Sequence, residues 1–325
     1  MEMTSQGWAI GVEIGGTALR IGLVDARGEV KHSVRKESIR LRDQSHAPDL
    51  LHTDIENFLV EARVNLQDCA GIGIAAAGLV NDESGTVVLA SNLGWRDFRI
   101  GSAISELTQL RTVVDKDTNM AAIGELAVGA GKHLDSFIYA SVGTGVGGAV
   151  IYDGKLLRGI ENRAGEFGHV IVGGNEPCGC GLRGCLETAA GGASIARHAR
   201  DALAGGARSK VRVMVGGRLD EITAQMVVEA AEQEDTLAQE ILARAAQALG
   251  IALLNTVRMI YPQAVILGGS VGSVGRFIFE PVRKFVETNS VFPGTDLPPV
   301  RLLQAGLGDA AAVVGAGLAV FTEGP

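Results

Sequence analysis

The chain has 325 residues, 46% hydrophobic and 20% charged; this balance excludes a disordered chain, and the length exceeds one compact core, so two lobes are expected. A net charge of −8 with no long basic block removes the electrostatic footprint of a nucleic-acid binder. No basic-then-apolar leader opens the sequence, and its apolar runs, such as residues 310–321, are too short to cross a bilayer, so a cytoplasmic protein with no membrane partner is expected.

Residues 8–14 form an apolar run broken by Gly15-Gly16-Thr17, resumed over 19–24 and turned at Asp25-Ala26-Arg27-Gly28, the pattern of strand, glycine turn, strand, turn, strand. Helical spacing follows over 48–65, a buried strand over 70–80 running into Gly78, a helix over 100–109, a strand over 112–115 and a helix over 119–129. The opening pattern then returns: 138–142 is apolar, Gly143-Thr144-Gly145 breaks it, 146–152 resumes and Asp153-Gly154 turns. The spacing from first glycine to aspartate matches in the two copies, Gly15 to Asp25 and Gly143 to Asp153, which reads equally as an internal repeat or as two unrelated hairpins. Residues 204–218 read as a surface connection. Residues 220–260 are mostly helical, with Thr223 as N-cap and Pro262 after the end; 264–267 is a strand entering Gly268-Gly269-Ser270, and Asp309 is placed to cap the last helix. Strands alternating with helices make this an α/β protein.

Three glycine turns after strands let backbone N–H groups converge on an anion and favour nucleotide phosphates over bare hairpins, although none has dinucleotide or Walker A spacing. Cys178, Cys180 and Cys185 lie on one tight loop, and His169 is the nearest upstream histidine. Cys3His is a closed set for structural zinc, and in a reducing compartment this cluster reads as metal before disulfide; Cys69 stands alone as a small core residue. Glu166, His169 and Glu187 flank that loop, either as sugar-hydroxyl partners or as solvated charges. Asp117 lies at a strand end running into the 119–129 helix, where a carboxylate serves as proton acceptor; by position alone, a cap on that helix by Asp117 or Thr118 is favoured.

Together these residues resemble the ROK family of sugar kinases, and within it the bacterial glucokinases, over essentially the whole length. The stretches that carry the resemblance are Gly11-Val12-Glu13-Ile14-Gly15-Gly16-Thr17, Ala90-Ser91-Asn92-Leu93-Gly94-Trp95, 117–125, 142–148, Ala164-Gly165-Glu166-Phe167-Gly168-His169, 178–187 and Ile266-Leu267-Gly268-Gly269-Ser270. The resemblance implies an actin-like, ribonuclease-H-like duplicated fold of two lobes with the active site in the cleft between them. The expected division is 1–116 as the smaller lobe, with helix 309–325 packed back on it, and 117–308 as the larger lobe carrying the zinc loop. It implies ATP-dependent phosphorylation of a hexose, glucose first, with Mg2+ and a structural Zn2+. An N-acetylmannosamine kinase and a sugar-binding sensor without turnover are the alternatives; a DNA-binding repressor is not expected, because the glycine loop begins near residue 11. By position Asp117 is the general base, and Asn92, Lys116, Glu166, His169 and Glu187 meet the sugar. Gly15, Gly16, Thr17, Gly143, Thr144 and Gly145 meet the phosphates, and Gly268 and Gly269 the adenosine side. His169, Cys178, Cys180 and Cys185 hold the zinc, with the second His169 ring nitrogen toward the sugar. The family resemblance also implies a homodimer or homotetramer. Two positions depart from the family pattern: Glu13 replaces an aspartate, and Lys116 replaces an asparagine that binds sugar. Lys116 is expected to point partly outward, with its head in water.

Overall fold

The computed structural model describes residues 7–291, 294 and 296–322. The leader reading therefore rests almost entirely on positions outside the described residues, as do the last three residues of the expected helix 309–325. The chain builds two compact units, one from residues 7–133, 154–164 and 306–322 and the other from 134–153 and 165–305.

The first unit opens with β1 (Trp8–Ile14), β2 (Ala18–Asp25) and β3 (Val30–Glu37), followed by helix α1 (Ala47–Ala62) and β4 (Cys69–Ala76). Next come β5 (Leu79–Asn81), β6 (Thr86–Ala90), β7 (Trp95–Phe98), α2 (Ile100–Thr108), β8 (Thr112–Lys116) and α3 (Asp117–Val128). The second unit begins with β9 (Phe137–Val142) and β10 (Val146–Tyr152); β11 (Lys155–Leu156) lies in the 154–164 segment of the first. The second unit resumes with α4 (Leu186–Ala190), α5 (Gly192–Ala204), α6 (Lys210–Met214), α7 (Ala224–Glu232) and α8 (Thr236–Ile260). It continues through β12 (Ala264–Gly268), α9 (Glu280–Ser290) and β13 (Arg301–Gln304), and α10 (Ala311–Phe321) returns to the first unit.

The first sheet has the order β3-β2-β1-β4-β8, with β1 antiparallel to β2 and parallel to β4, and β4 parallel to β8. The second repeats this arrangement in β10-β9-β12-β13, where β9 is antiparallel to β10 and parallel to β12, and β12 is parallel to β13. The two glycine hairpins thus occupy the same place in two sheets of one design, which decides between repeat and coincidence. The three-stranded meander β5-β6-β7 was not legible in the sequence.

Alternation along β1 explains how the first sheet is covered. Ile10, Val12 and Ile14 share a core with Leu51, Ile55 and Phe58 of α1, whose i, i+4, i+7 spacing makes one apolar stripe. Helix α1 has proline in its first turn and ends at Arg63, in the left-handed region at φ 57°. Gly11 faces the other way, toward α10. A Cβ at Gly11 would strike the Val313 carbonyl, one at Gly73 the Ala316 carbonyl, and one at Gly315 the Met120 carbonyl. Helix α10 can therefore lie against both the sheet and α3 only through these glycines. Its residues Ala311 to Val320 are all buried. Glu125 of α3, 0% exposed, completes this join: its carboxylate accepts hydrogen bonds from the backbone N–H groups of Ala130, Gly306 and Leu307.

Several expectations are corrected. The first unit does not stop at residue 116, because α3 packs on α10 and stays with the first sheet. Asp309 does not cap α10; it sits in a 3-10 turn and pairs with Arg20 at 2.7 Å. Residues 204–218 are not simply a loop: α6 forms there, capped by Ser209, and buries Val211. Thr223 caps α7, accepting from Met226 N–H. Helix α8 is long and apolar enough to span a bilayer by length and composition, although no uninterrupted apolar run announced it. Its Leu242, Leu249, Leu253 and Val257 are buried in the core of the second unit.

Candidate active site and metal centre

In the first unit the turn joining β1 to β2 is closed by Gly15 N–H donating to Ala18 C=O at 2.9 Å. Asn92, between β6 and β7, stands over this turn: a Cβ on Gly16 would lie 2.9 Å from the Asn92 Cβ. The meander that carries Asn92 is fixed by buried Trp95, whose indole N–H donates to Leu41 C=O at 2.6 Å. Opposite one another on β1 and β2, Glu13 and Arg20 pair at 2.8 Å. Burial raises the Glu13 carboxyl above its ordinary range, against the pull of Arg20. At Arg20 burial acts downward, but Glu13 and Asp309 together carry the guanidinium above its ordinary value.

The end of β8 presents three consecutive charged residues with three different fates. Asp115 is 1% exposed and fully engaged: Oδ1 accepts from Lys116 N–H, Asn119 Nδ2 and Asn162 Nδ2, and Oδ2 pairs with Arg158. Arg158 also reaches Asp82 at 3.1 Å. A carboxylate whose two oxygens are taken up by four donors holds structure. Asp117 is the first residue of α3, and its Oδ1 accepts from Thr118 N–H at 2.7 Å. The N-cap is Lys116, with no side-chain capping bond, so the expectation that Asp117 caps this helix is corrected: it is an acid in the first turn, beside the helix N-terminus. Lys116 is 3% exposed and its Nζ donates to Ala164 C=O at 2.5 Å, which corrects the expectation of an outward-pointing lysine with a hydrated head.

In the second unit the remaining residues gather around the start of β10. Glu187, in the first turn of α4, accepts Val146 N–H at 3.0 Å and so grips the Gly143-Thr144-Gly145 turn. The first amides of α5 bond the same turn, Gly192 N–H to Gly143 C=O at 2.8 Å and Ala193 N–H to Thr144 C=O at 2.9 Å. Gly269, at φ +84°, presses against Val142, a position no side chain could share. The segment from Glu166 to His169 lies on β10, where a Cβ at Gly168 would strike the Val146 carbonyl. The sequence-predicted residues thus fall into two sets. Asn92, Asp117 and Gly15 to Thr17 belong to the first unit, and Glu166, His169, Glu187 and the other two turns to the second.

The cysteine loop is closed by paired backbone: Val172 N–H donates to Gly184 C=O and Leu186 N–H to Val170 C=O, each at 2.9 Å. This brings the ligand atoms of His169, Cys178, Cys180 and Cys185 within 4.8 Å of one another. Cys180 Sγ and Cys185 Sγ are 3.6 Å apart, too far for a disulfide; tetrahedral thiolates about 2.3 Å from a zinc ion stand about 3.8 Å apart. His169 Nδ1 lies 3.5 Å from Cys178 Sγ, so Nδ1 is the nitrogen on the thiol side and Nε2 is left for another role. Burial and the neighbouring thiols push Cys185 up to about 12, whereas a backbone hydrogen bond at Leu182 pulls Cys180 below its ordinary value, so a bound cation is what would ionise Cys185. The donor set fits Zn2+.

The ROK family pattern matches residues 9–323. The chain belongs to the ROK family. It is 33% identical to the glucokinase of Halalkalibacterium halodurans, over 96% of this chain and 94% of that one. The ROK family glucokinase from Streptomyces griseus, solved in complex with glucose and AMPPNP, is 32% identical with a TM-score of 0.83, over 95% of this chain and 98% of that one. A xylose repressor of Caldicellulosiruptor bescii is 30% identical over 87% of this chain and 71% of its own length. The ROK sugar-kinase fold, with its duplicated α/β halves, is thereby established for this chain.

Within the ROK pattern, two groups of residues escaped the sequence reading. One is the network joining Asp82, Asp115, Asn119, Arg158 and Asn162, whose members come from separate stretches of the chain with no shared spacing to announce them. The other is Glu176 on the cysteine loop, bonded to Arg197 and His198 of α5. Glu176 lies two residues before Cys178 and ties the cysteine loop to α5.

Proposed function

We propose that this ROK protein transfers the γ-phosphoryl group of ATP to the 6-hydroxyl of a hexose, glucose first. The observation that carries the reading is Asp117, held at the N-terminus of α3 while its neighbour Asp115 is consumed by structural bonds. Full-length similarity to curated glucokinases supports the same conclusion. Asp117 takes the hydroxyl proton as the sugar oxygen forms its bond to phosphorus and the bond to ADP breaks. Asn92, Glu166, His169 Nε2 and Glu187 orient the sugar hydroxyls. Backbone N–H groups of the turns at Gly15 to Thr17 and Gly143 to Gly145 bind the phosphates, with Gly268 and Gly269 on the adenosine side. Mg2+ bound with ATP would neutralise charge on the transferred group, and the Glu13 carboxylate is the hard donor beside the first turn that suits it. Zn2+ held by His169, Cys178, Cys180 and Cys185 would fix the loop from which α4 and Glu187 start.

The test is ADP release from ATP over a panel of hexoses and N-acetylhexosamines. Glucose is expected to give the highest kcat/KM. Preference for N-acetylmannosamine would reassign the substrate. Sugar binding without ADP release would make the chain a sensor, a reading that the repressor relative keeps in view.

A further inference from the structure

We propose that Lys116 is a positioning residue for the sugar, acting through the Ala164 carbonyl; this rests on the kinase reading above. The lysine stands where the family pattern has an asparagine that meets the substrate, yet it is buried and its ammonium donates to a backbone oxygen at 2.5 Å. An asparagine ends two atoms sooner along the side chain and does not make this reach.

The segment that Lys116 holds is unusual. Between Arg158 and Ala164 the chain passes through Gly159, Glu161 and Asn162 at φ 68°, 51° and 59°. Left-handed conformations at non-glycine residues persist where the surroundings impose them. Here β8 imposes them at both ends: Asp115 grips Arg158 and Asn162, and Lys116, the next residue, grips Ala164. Asn162 also donates to Val80 C=O, and Ala164 N–H returns to Arg158 C=O at 2.8 Å. Directly after Ala164 comes Gly165, at φ +82°, where a Cβ would lie 2.6 Å from the Gly148 carbonyl. The next residue is Glu166. The Ala164 carbonyl is therefore tethered two residues before that carboxylate, and Gly165, whose own carbonyl accepts from Phe167 N–H, has little freedom to absorb a shift. The same strand end leads into Asp117. Loss of the Lys116 bond redirects Glu166 and weakens sugar binding without touching the nucleotide turns.

Lys116→Met keeps the volume and removes the donor. Its KM for sugar is expected to rise about tenfold or more, the scale of a lost charged hydrogen bond, with kcat and the KM for ATP changed far less. Lys116→Arg, which retains charge and donors, should recover part of the loss and serves as the informative variant if Lys116→Met does not fold. Sugar affinity measured by calorimetry reads the same effect even if the wild type turns over no hexose, so failure of the kinase reading and failure of this inference remain distinct. Unchanged sugar KM and affinity in Lys116→Met, with only a lowered melting temperature, would reduce Lys116 to structural support. A Lys116→Asn variant with higher kcat/KM for glucose than wild type would overturn the inference outright, by showing that the lysine obstructs the sugar.

Discussion

The two glycine hairpins hold the same place in their sheets, but the first pairs Ile14 with Leu19 and the second Val142 with Val146, a one-residue difference in register, and their surroundings differ as well. At the position two residues before the first glycine, the β1–β2 hairpin sets Glu13 against Arg20, whereas the β9–β10 hairpin sets Ser141 against Gly147. The first turn is bordered by charge and by the exposed side chain of Asn92. The second is enclosed by backbone: two amides of α5, the Gly269 turn and the Glu187 carboxylate. The contrast extends to the helices. Strand β8 leads into α3 with Asp117 at its head, and β13 leads to α10 with Asp309 just before it, but Asp309 is exposed and tied to Arg20. A repeated scaffold has kept its strand order while its two turns diverged, one bordered by charge, the other enclosed by backbone.

The sharpest way to break this comparison is to neutralise the two aspartates one at a time. Asp117→Asn keeps an oxygen for Thr118 N–H and removes the base. It should lower kcat by about 10²–10⁴-fold with sugar and ATP affinity nearly unchanged, while Asp309→Asn should stay close to wild type. Comparable losses in both would show that the two halves share the chemistry. The metal comes second. Structural zinc sites carry about 10 kcal/mol or more of apparent binding energy, so Cys180→Ser should lower zinc per chain and sugar affinity together, measured by metal analysis and calorimetry. A metal-free protein with ordinary sugar affinity would sink this idea.

Two smaller effects sharpen the contrast. A Cβ at Gly192 would meet the Gly143 carbonyl at 2.7 Å, and one at Gly16 would meet the Asn92 side chain at 2.9 Å. Backbone yields less than an exposed side chain, so Gly192→Ala should cost about 1–3 kcal/mol and raise the KM for ATP, and Gly16→Ala should do less of both. Equal effects would remove the distinction between an enclosed and an open turn. The smallest effect is expected at Glu13. Burial raises its carboxyl above 4.5 in the folded state. The folded protein then binds this proton more tightly than the unfolded chain does, so the contribution is fully present below pH 4.5 and is lost as pH rises through the folded value. Relative to wild type, Glu13→Gln should melt alike in acid, where both side chains are uncharged, and gain on wild type toward neutral pH; a difference that does not change with pH would mean that Arg20 cancels the burial.

Much of this was legible in the sequence because glycine and apolar runs report local backbone. Both hairpins, β4, β8, β12 and the cap at Thr223 lay within a few residues of their expected positions, and the Cys3His set came together as its spacing implied. The burial of Lys116 was not legible, because a lysine's acceptor can lie anywhere; here it is a carbonyl 48 positions away. The placement of α3 with the first unit depended on α10, which arrives from the far end of the chain. Asp309 looked like a cap from its place before an apolar helix, and a cross-strand arginine from β2 claimed it instead.

The join between α3, the first sheet and α10 also sets an order of events during synthesis. Residues 7–133 contain a complete sheet, yet Gly11 and Gly73 leave a bare track on it that only residues 311–320 fill, and Glu125 waits for the amides of Gly306 and Leu307. At about 5–20 residues per second, the ribosome delivers those partners roughly ten to forty seconds after β8 has emerged. The second unit, 134–153 and 165–305, has its whole sequence available before the first is complete. The half of the molecule that starts first is thus the one that finishes last, and in the interval its sheet presents an uncovered apolar face that a chaperone or a neighbouring nascent chain can reach.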